Sequence, residues 1–325
     1  MPAIRFRAAA AWAAVLFASL VSPWARAQDF PSRPITLVVP YPPGSASDFV
    51  ARLFQPRLTE AFGQSVVVEN RGGASTNIGT AYVSRAAPDG YTVLMQVPNI
   101  VTNEFVFNSL GWKRKDFTPV GTLVRWSNVL VAGPSAPAAD LKQLLARPGT
   151  SSLNYGTPGV GSLSHLAVEM LKGRTGLAMQ HVTYTGTAPM INSLLGGYIH
   201  YGATNPANFM AYVHDPKYKV TPLAVLGTQR DSTIPRVPSL ADFGIRGIES
   251  YGWLGLVVPA GTSPAIVDRL NAEFMKVLQT PEIAAKLKAN YLEPFPSTPD
   301  EFGRFMEAEH RKWGAAIQAA GIQPQ

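Results

Sequence analysis

Cysteine is absent from all 325 residues. That excludes disulfides, thiolate nucleophiles and Cys-based zinc or iron–sulfur sites together. Charged residues are scarce at 15%, and beyond the N-terminus no run approaches the roughly 18 uninterrupted apolar residues of a membrane-spanning helix. Signatures of catalysis are missing too: there is no Gly-x-Ser-x-Gly, no Ser-x-x-Lys and no phosphate-binding Gly-Lys-Ser/Thr. The histidines, His165, His181, His200, His214 and His310, are scattered without the close pairing that zinc needs, so neither a metal nor a cofactor is expected. Glu307 and Glu309 read as a solvated helix face with no acid–base role. What is plentiful is apolar material, 46% of the chain, enough to fill a core and exclude disorder.

Lys and Arg total 28 against 21 acids, a formal net charge of +7. The excess is concentrated at the start. Arg5 and Arg7 precede the apolar run Ala8–Val21, and Ala25-Arg26-Ala27 closes it, the layout of a secretory signal peptide cleaved after Ala27. Removing Arg5, Arg7 and Arg26 lowers the basic count from 28 to 25 against 21, a net +4. The basic balance is therefore partly an export signal, no nucleic-acid partner is expected, and the mature chain is expected in the periplasm.

After Pro34 short β-branched runs alternate with helical patterns, which predicts an α/β fold with parallel strands. Strands are expected at 35–41, 65–69 and 92–97, with helices at 48–62, kinked at Pro56, and at 78–86. The alternation restarts with an extended run at 123–131, a helix at 140–145, a strand at 153–155 and a helix carrying Leu163, Leu166, Ala167, Met170 and Leu171 on one face. A helix at 189–195 and strands at 198–203 and 223–226 follow. With no Ser-, Gly- or Pro-rich linker, the two units are expected to be joined by strands crossing directly between them. Ser263-Pro264 opens a helix burying Ile266, Leu270, Phe274 and Leu278, and Thr298-Pro-Asp-Glu301 opens another as a capping box; both are expected to wrap the first unit.

Two Gly-containing loops feed helix N-termini: Pro43-Gly44-Ser45-Ala46-Ser47-Asp48 and Gly159-Val160-Gly161-Ser162. First-turn amides lack intrahelical partners and sit at the positive end of the macrodipole, so each loop suits a carboxylate or phosphate. Facing each other, they can hold the two ends of one small anion; taken singly, their glycines can equally serve only tight turns. Asp48 is expected to cap its helix or pair with Arg52 rather than meet an anion. His165 falls off the apolar stripe, facing either solvent or a cleft. Asn205 ends a strand where a doubly wound sheet places ligand contacts, and Trp126, Tyr184 and Trp253 are candidates to line a pocket. The competing class is an exported hydrolase using Ser162 and His165 as nucleophile and base.

Taken together, Val39-Pro-Tyr-Pro-Pro-Gly44, Val66-Val-Val-Glu-Asn70-Arg71, Asn77-Ile-Gly79, Ala87-Pro-Asp-Gly-Tyr-Thr92, Asn154-Tyr-Gly, Gly159-Val-Gly-Ser, Leu194-Leu-Gly-Gly, Pro259-Ala-Gly-Thr and Ala319-Ala-Gly-Ile322 resemble the Bug family. These are periplasmic solute receptors of tripartite tricarboxylate transporters. The resemblance implies a two-domain, type II periplasmic-binding-protein fold that closes on its ligand in an interdomain cleft. It places domain 1 at 28–125 plus 251–325 and domain 2 at 126–250. It implies a monomer without catalysis that delivers a small organic carboxylate or dicarboxylate to a two-subunit inner-membrane permease; a receptor repurposed for signalling is not separable from this. The implied ligand contacts are Tyr41, Pro43, Gly44, Ser45, Ser47, Ser75, Thr76, Asn77, Gly159, Val160, Gly161, Ser162, His165, Thr185, Thr204 and Asn205. Ser75-Thr76 stands where the family usually has Gly-Gly, Thr185 replaces a commonly basic residue, and Thr204-Asn205 replaces an acid that an amino-acid ammonium would want.

Overall fold

The computed structural model describes residues 30–147, 152–319 and 321–324. Residues from Arg33 onward form one compact unit, and the signal peptide with its Ala27 site lies outside the described residues. No described helix is long and apolar enough to cross a membrane.

Two sheets organise the chain after Arg33. In the first, β1 (Ile35–Val39) lies between β2 (Val66–Asn70) and β3 (Thr92–Gln96), parallel to both. The strand β10 (Tyr251–Pro259) returns antiparallel between β3 and β4 (Phe117–Ser127), and β11 (Glu293–Pro294) closes the edge. The second sheet runs β7 (Met179–Thr183), β6 (Leu153–Thr157), β8 (Tyr201–Thr204), β5 (Val129–Ala132), β9 (Thr221–Val225). Here β6 parallels β7 and β8, while β5 is antiparallel to its neighbours. Each sheet thus has parallel strands whose carboxyl ends feed helices, plus an antiparallel strand among them, β10 in the first and β5 in the second.

The expected apolar run at 123–131 is two strands in different sheets, with only Asn128 between β4 and β5. The chain does cross directly, and the two crossings are tied together. Asn128 N–H and Nδ2 donate to Ser250 O and Oγ at 3.1 and 2.8 Å, and Leu226 N–H donates to Asn128 O at 2.8 Å. Both polar side chains are buried, so their mutual bonds satisfy groups that would otherwise cost free energy in the interior.

Helices α1 (Ala46–Phe62), α2 (Asn77–Ser84) and α3 (Asn99–Val106) follow the three parallel strands of the first sheet. The first runs unbroken across Pro56. In the second half, α4 (Leu141–Leu145), α5 (Leu163–Thr175), α6 (Thr187–Leu195) and α7 (Met210–Val213) surround the second sheet. Finally α8 (Pro264–Leu278), α9 (Pro281–Ala289) and α10 (Pro299–Ala319) pack back on the first lobe, as expected, although α9 is unheralded and Val267 rather than Ile266 is fully buried. The strand expected at 198–203 begins only at Tyr201, because Tyr198 sits in the turn with its ring 80% exposed.

On the core face of β10, Gly255 lets Phe302 of α10 lie against the sheet: a Cβ there would overlap the Phe302 ring, which is wholly buried. We expect Gly255→Ala to destabilise the protein by about 1–3 kcal/mol, the usual cost of overpacking, read as a lower urea midpoint; an unchanged midpoint would refute this packing.

Candidate functional site

The two Gly-containing loops have the same construction. In the first, between β1 and α1, Gly44 adopts φ +84°, a left-handed conformation that glycine reaches without a Cβ penalty. Ser45 is the N-cap, and its hydroxyl accepts from Asp48 N–H at 3.2 Å. The Asp48 carboxylate then reaches back and accepts from Gly44 N–H at 2.9 Å. In the second, between β6 and α5, Gly161 adopts φ +73°, Ser162 is the N-cap accepting from His165 N–H at 3.3 Å, and His165 Nδ1 accepts from Gly161 N–H at 3.1 Å. The underlying repeat is Gly-Ser-Ala-Ser-Asp at 44–48 and Gly-Ser-Leu-Ser-His at 161–165. Sequence reading passed over it, although the shared Gly-Ser-x-Ser spacing was available as a signal.

This construction changes which groups remain for an anion. The glycine amides are engaged by the protein itself, so the open donors are the first-turn amides, Ala46 and Ser47 on α1 and Leu163 and Ser164 on α5, which a helix leaves without intrahelical partners. Ser47 and Ser164 are buried, Ser45 and Ser162 half-buried, Pro43 and Gly44 exposed, and Gly159 and Val160 half-buried. Asp48 has the local role expected of it: Arg52 Nε and Asn70 Nδ2 also donate to it at 3.0 and 2.9 Å. Burial pushes its carboxyl upward, but the bonds from Arg52, Gly44 and Asn70 outweigh that and hold the pKa below the ordinary carboxylate value.

A third loop precedes α2. Ala74, Ser75 and Thr76 take φ +46°, +51° and +77° in succession, strained positions costing on the order of 1–3 kcal/mol each for residues with a Cβ. Helix α3, which sequence reading missed, holds this loop through its asparagines. Asn103 Nδ2 donates to Ser75 O at 2.8 Å and to Asn77 Oδ1 at 2.9 Å, and Trp112 Nε1 donates to the same Asn77 oxygen at 3.1 Å. One turn earlier, Asn99 Oδ1 accepts from the Tyr41 hydroxyl at 3.4 Å, and burial pushes that phenol up to about 12. Thr76 Oγ1 is buried with no hydrogen-bond partner. The same helix ends at Val106, whose side chain would lie 2.9 Å from a Cβ on Gly161. Hence α3 links Tyr41, Ser75 and Asn77 to the second loop; the i, i+4 spacing of Asn99 and Asn103 was its only trace in the sequence.

The remaining candidates lie at the carboxyl ends of the second sheet's strands. Thr185 is exposed between β7 and α6, and a Cβ on Gly159 would lie 3.8 Å from the carbonyl oxygen of the preceding Tyr184. Thr204 Oγ1 accepts from Asn208 Nδ2, and Asn205 Oδ1 from Ala207 N–H at 2.7 Å, so both oxygens have local partners.

Several expectations need correcting. His165 faces neither solvent nor an open cleft: it is 5% exposed, bonded to Gly161 and stacked on His181 at 3.9 Å. Its ring does not touch Ser162 Oγ, which caps α5 and contacts Ser164 Oγ, so the nucleophile–base pair of a hydrolase is not formed. The histidines are not all scattered, since β7 brings His181 onto α5; still, no group of three or more His, Cys, Asp or Glu among the described residues could hold a metal. Trp253 is fully buried in the first lobe rather than lining a pocket, and Glu309 is buried, accepting from Trp313 Nε1 at 2.8 Å.

The residues at 50–322 match the family model described as "Tripartite tricarboxylate transporter family receptor". Among solved structures, Rpa4515 of R. palustris with adipate is 35% identical with a TM-score of 0.84, covering 91% of this chain and 100% of its own. The periplasmic binding protein BugD is 28% identical, TM-score 0.80, over 91% and 100% of the two chains. MatC (Rpa3494) of Rhodopseudomonas palustris with bound malate is 27% identical, TM-score 0.77, over 89% and 100%. The architecture is thus the two-domain periplasmic-binding-protein fold, with its cleft between the lobes.

Removing the Asp48 carboxylate takes away the acceptor shared by the Gly44 amide, Arg52 Nε and Asn70 Nδ2. We expect Asp48→Ala to cost about 2 kcal/mol at neutral pH, in the range for bonds to a charged group, measured by urea unfolding. Because the folded pKa lies below the ordinary 3.8, this stabilisation is present above that pH and fades as the pH falls below it. An Asp48→Ala variant as stable as wild type at pH 7 would contradict the assignment.

Proposed function

The chain belongs to the Bug family of tripartite tricarboxylate transporter receptors, and on that footing we propose that it is a periplasmic receptor capturing a small organic carboxylate or dicarboxylate and delivering it to a two-subunit inner-membrane permease. The mature protein begins at Gln28, with domain 1 at 28–125 plus 251–325 and domain 2 at 126–250. The observation that carries this reading is the pair of matched helix N-termini, one in each lobe, each offering first-turn amides and a serine hydroxyl. A carboxylate placed there gains from the positive end of the helix dipole without an arginine or lysine partner. The adipate and malate held by two relatives support the same ligand class.

Around that anion, Tyr41, Ser75, Thr76 and Asn77 of the first lobe and Val160, Thr185, Thr204 and Asn205 of the second set the width and polarity of the cleft. No acidic side chain stands at 204–205 to receive an ammonium group, and the Thr204 and Asn205 oxygens already have partners. The ligand is therefore a carboxylate without an α-amino group. Binding, rather than turnover, is the activity: the Ser162 and His165 side chains are each committed to shaping their loop.

Two measurements test this. In a thermal-unfolding panel of mono- and dicarboxylates including adipate and malate, at least one compound raises the midpoint; at roughly 100 times its dissociation constant it adds about 2.7 kcal/mol. Shifts produced only by cations or neutral sugars would sink the reading. Gly161 is a poor site for introducing charge, since its left-handed φ and Val106 leave no room for a side chain. We therefore expect Val160→Asp to abolish carboxylate binding while Val160→Asn retains it within about tenfold, by calorimetry; equal affinities would place the anion elsewhere.

A further inference from the structure

The loop before α5 is tied to two imidazoles. His165 on α5 and His181 on β7 stack with 18° between their planes. Because His165 Nδ1 accepts the Gly161 amide at 3.1 Å, it carries a lone pair, and the ring proton sits on Nε2, which faces Glu169 Oε1 at 3.9 Å. On the second ring, His181 Nε2 lies 2.8 Å from Thr157 Oγ1, and that hydroxyl donates to Gly159 O at 3.2 Å. A hydroxyl has one proton; given to Gly159, it leaves the Thr157 oxygen to accept from His181 Nε2–H. One ring thereby holds the amide of Gly161 and the other, through Thr157, the carbonyl of Gly159. At the first-lobe loop the acceptor for the glycine amide is instead the carboxylate of Asp48.

We propose that His165 and His181 act together as positioning residues for the ligand loop, fixing Gly159–Gly161 so that the first-turn amides of α5 point at the bound carboxylate. The inference rests on the reading of this loop as a carboxylate site. It also makes capture conditional on protonation. A proton on His165 Nδ1 would set one N–H against another and release Gly161. Burial pushes both imidazoles down to about 4. Glu169 on α5 opposes that shift but is itself held by Lys172 of α5 and the Tyr155 hydroxyl of β6; Lys172 disfavours a positive charge on either ring, and His165 disfavours one on His181. Since the folded values lie below the ordinary 6.5, the loop keeps its form at neutral and mildly acidic pH and loses it as the pH falls through about 4.

The test uses the 15N-labelled full-length mature protein, with His165→Asn, whose Oδ1 can replace Nδ1 as acceptor, and His165→Phe, which keeps the ring shape without one. At pH 7 the His165 15N shifts should report the Nε2–H tautomer, and the Gly161 amide should exchange slowly in wild type and His165→Asn but quickly in His165→Phe. With adipate as the calorimetric probe, His165→Phe should weaken binding at least tenfold and His165→Asn should restore most of it. Between pH 7 and pH 4 the wild type should lose about twofold in affinity relative to His165→Asn, in line with the fraction left competent; the ratio cancels protonation of adipate itself. Fast Gly161 exchange in wild type, an Nδ1–H tautomer, or affinity that rises on acidification relative to His165→Asn would overturn the proposal. If wild type binds neither adipate nor any other carboxylate, the functional reading fails, while the tautomer and exchange data still decide the role of the imidazoles. Should His165→Phe not fold, those wild-type and His165→Asn data decide it alone.

Discussion

A left-handed glycine whose amide is taken by the side chain four residues later starts the helix in each lobe, and the geometry of both loops follows from that bond. It lies beside the serine N-cap of each helix and decides which amides remain open. Without an acceptor at Asp48 or His165 the glycine N–H of each loop would lose its partner, and at the buried Gly161 that costs about 1–3 kcal/mol. The two lobes satisfy the same requirement with different chemistry: a carboxylate held ionised by Arg52 and Asn70, and an imidazole held neutral by burial. The first is indifferent to pH across the neutral range, and the second defines an acid limit.

Tertiary packing carries the two loops to one place. The lobes are connected by β4–β5 and by the return to β10, with Asn128 and Ser250 bonded across the two crossings. Ser250 Oγ also donates to Leu163 O at 3.0 Å, so the start of α5 is attached to the crossing itself. Leu163 and Leu166 then join the same apolar cluster as Val106, Trp253 and Phe302 of the first lobe. Because a packed core admits few alternative arrangements, the α5 N-terminus is held against the end of α3, and α3 in turn holds the Ser75–Asn77 loop through Asn103.

Much of this was legible beforehand. Alternating strand and helix patterns, the Asp48–Arg52 pair at i, i+4, the capping box at Thr298 and the direct strand crossings are local or periodic features, and periodicity survives folding unchanged. Where reading by position went astray, the reason is the same each time. His165 lies off the helical stripe, yet its flanking glycine and the adjacent β7 enclose it. Glu309 sits among charged neighbours, yet Trp313 one turn on draws it inward. Trp253 resembled a pocket wall but lies on a strand inserted between β3 and β4, where both faces are covered.

By itself, then, the amino-acid order determined the two α/β units, their Gly-Ser helix starts, the absence of thiol chemistry and the resemblance that pointed to a receptor, because each depends on residues within a turn or two of one another. Only the tertiary structure decided that His165 meets His181, that α3 links the loops of both lobes, and that the glycine amides are engaged while the first-turn amides stay open. Those outcomes hang on contacts between elements distant in sequence, whose pairing is chosen by burial of the whole core rather than by any local preference.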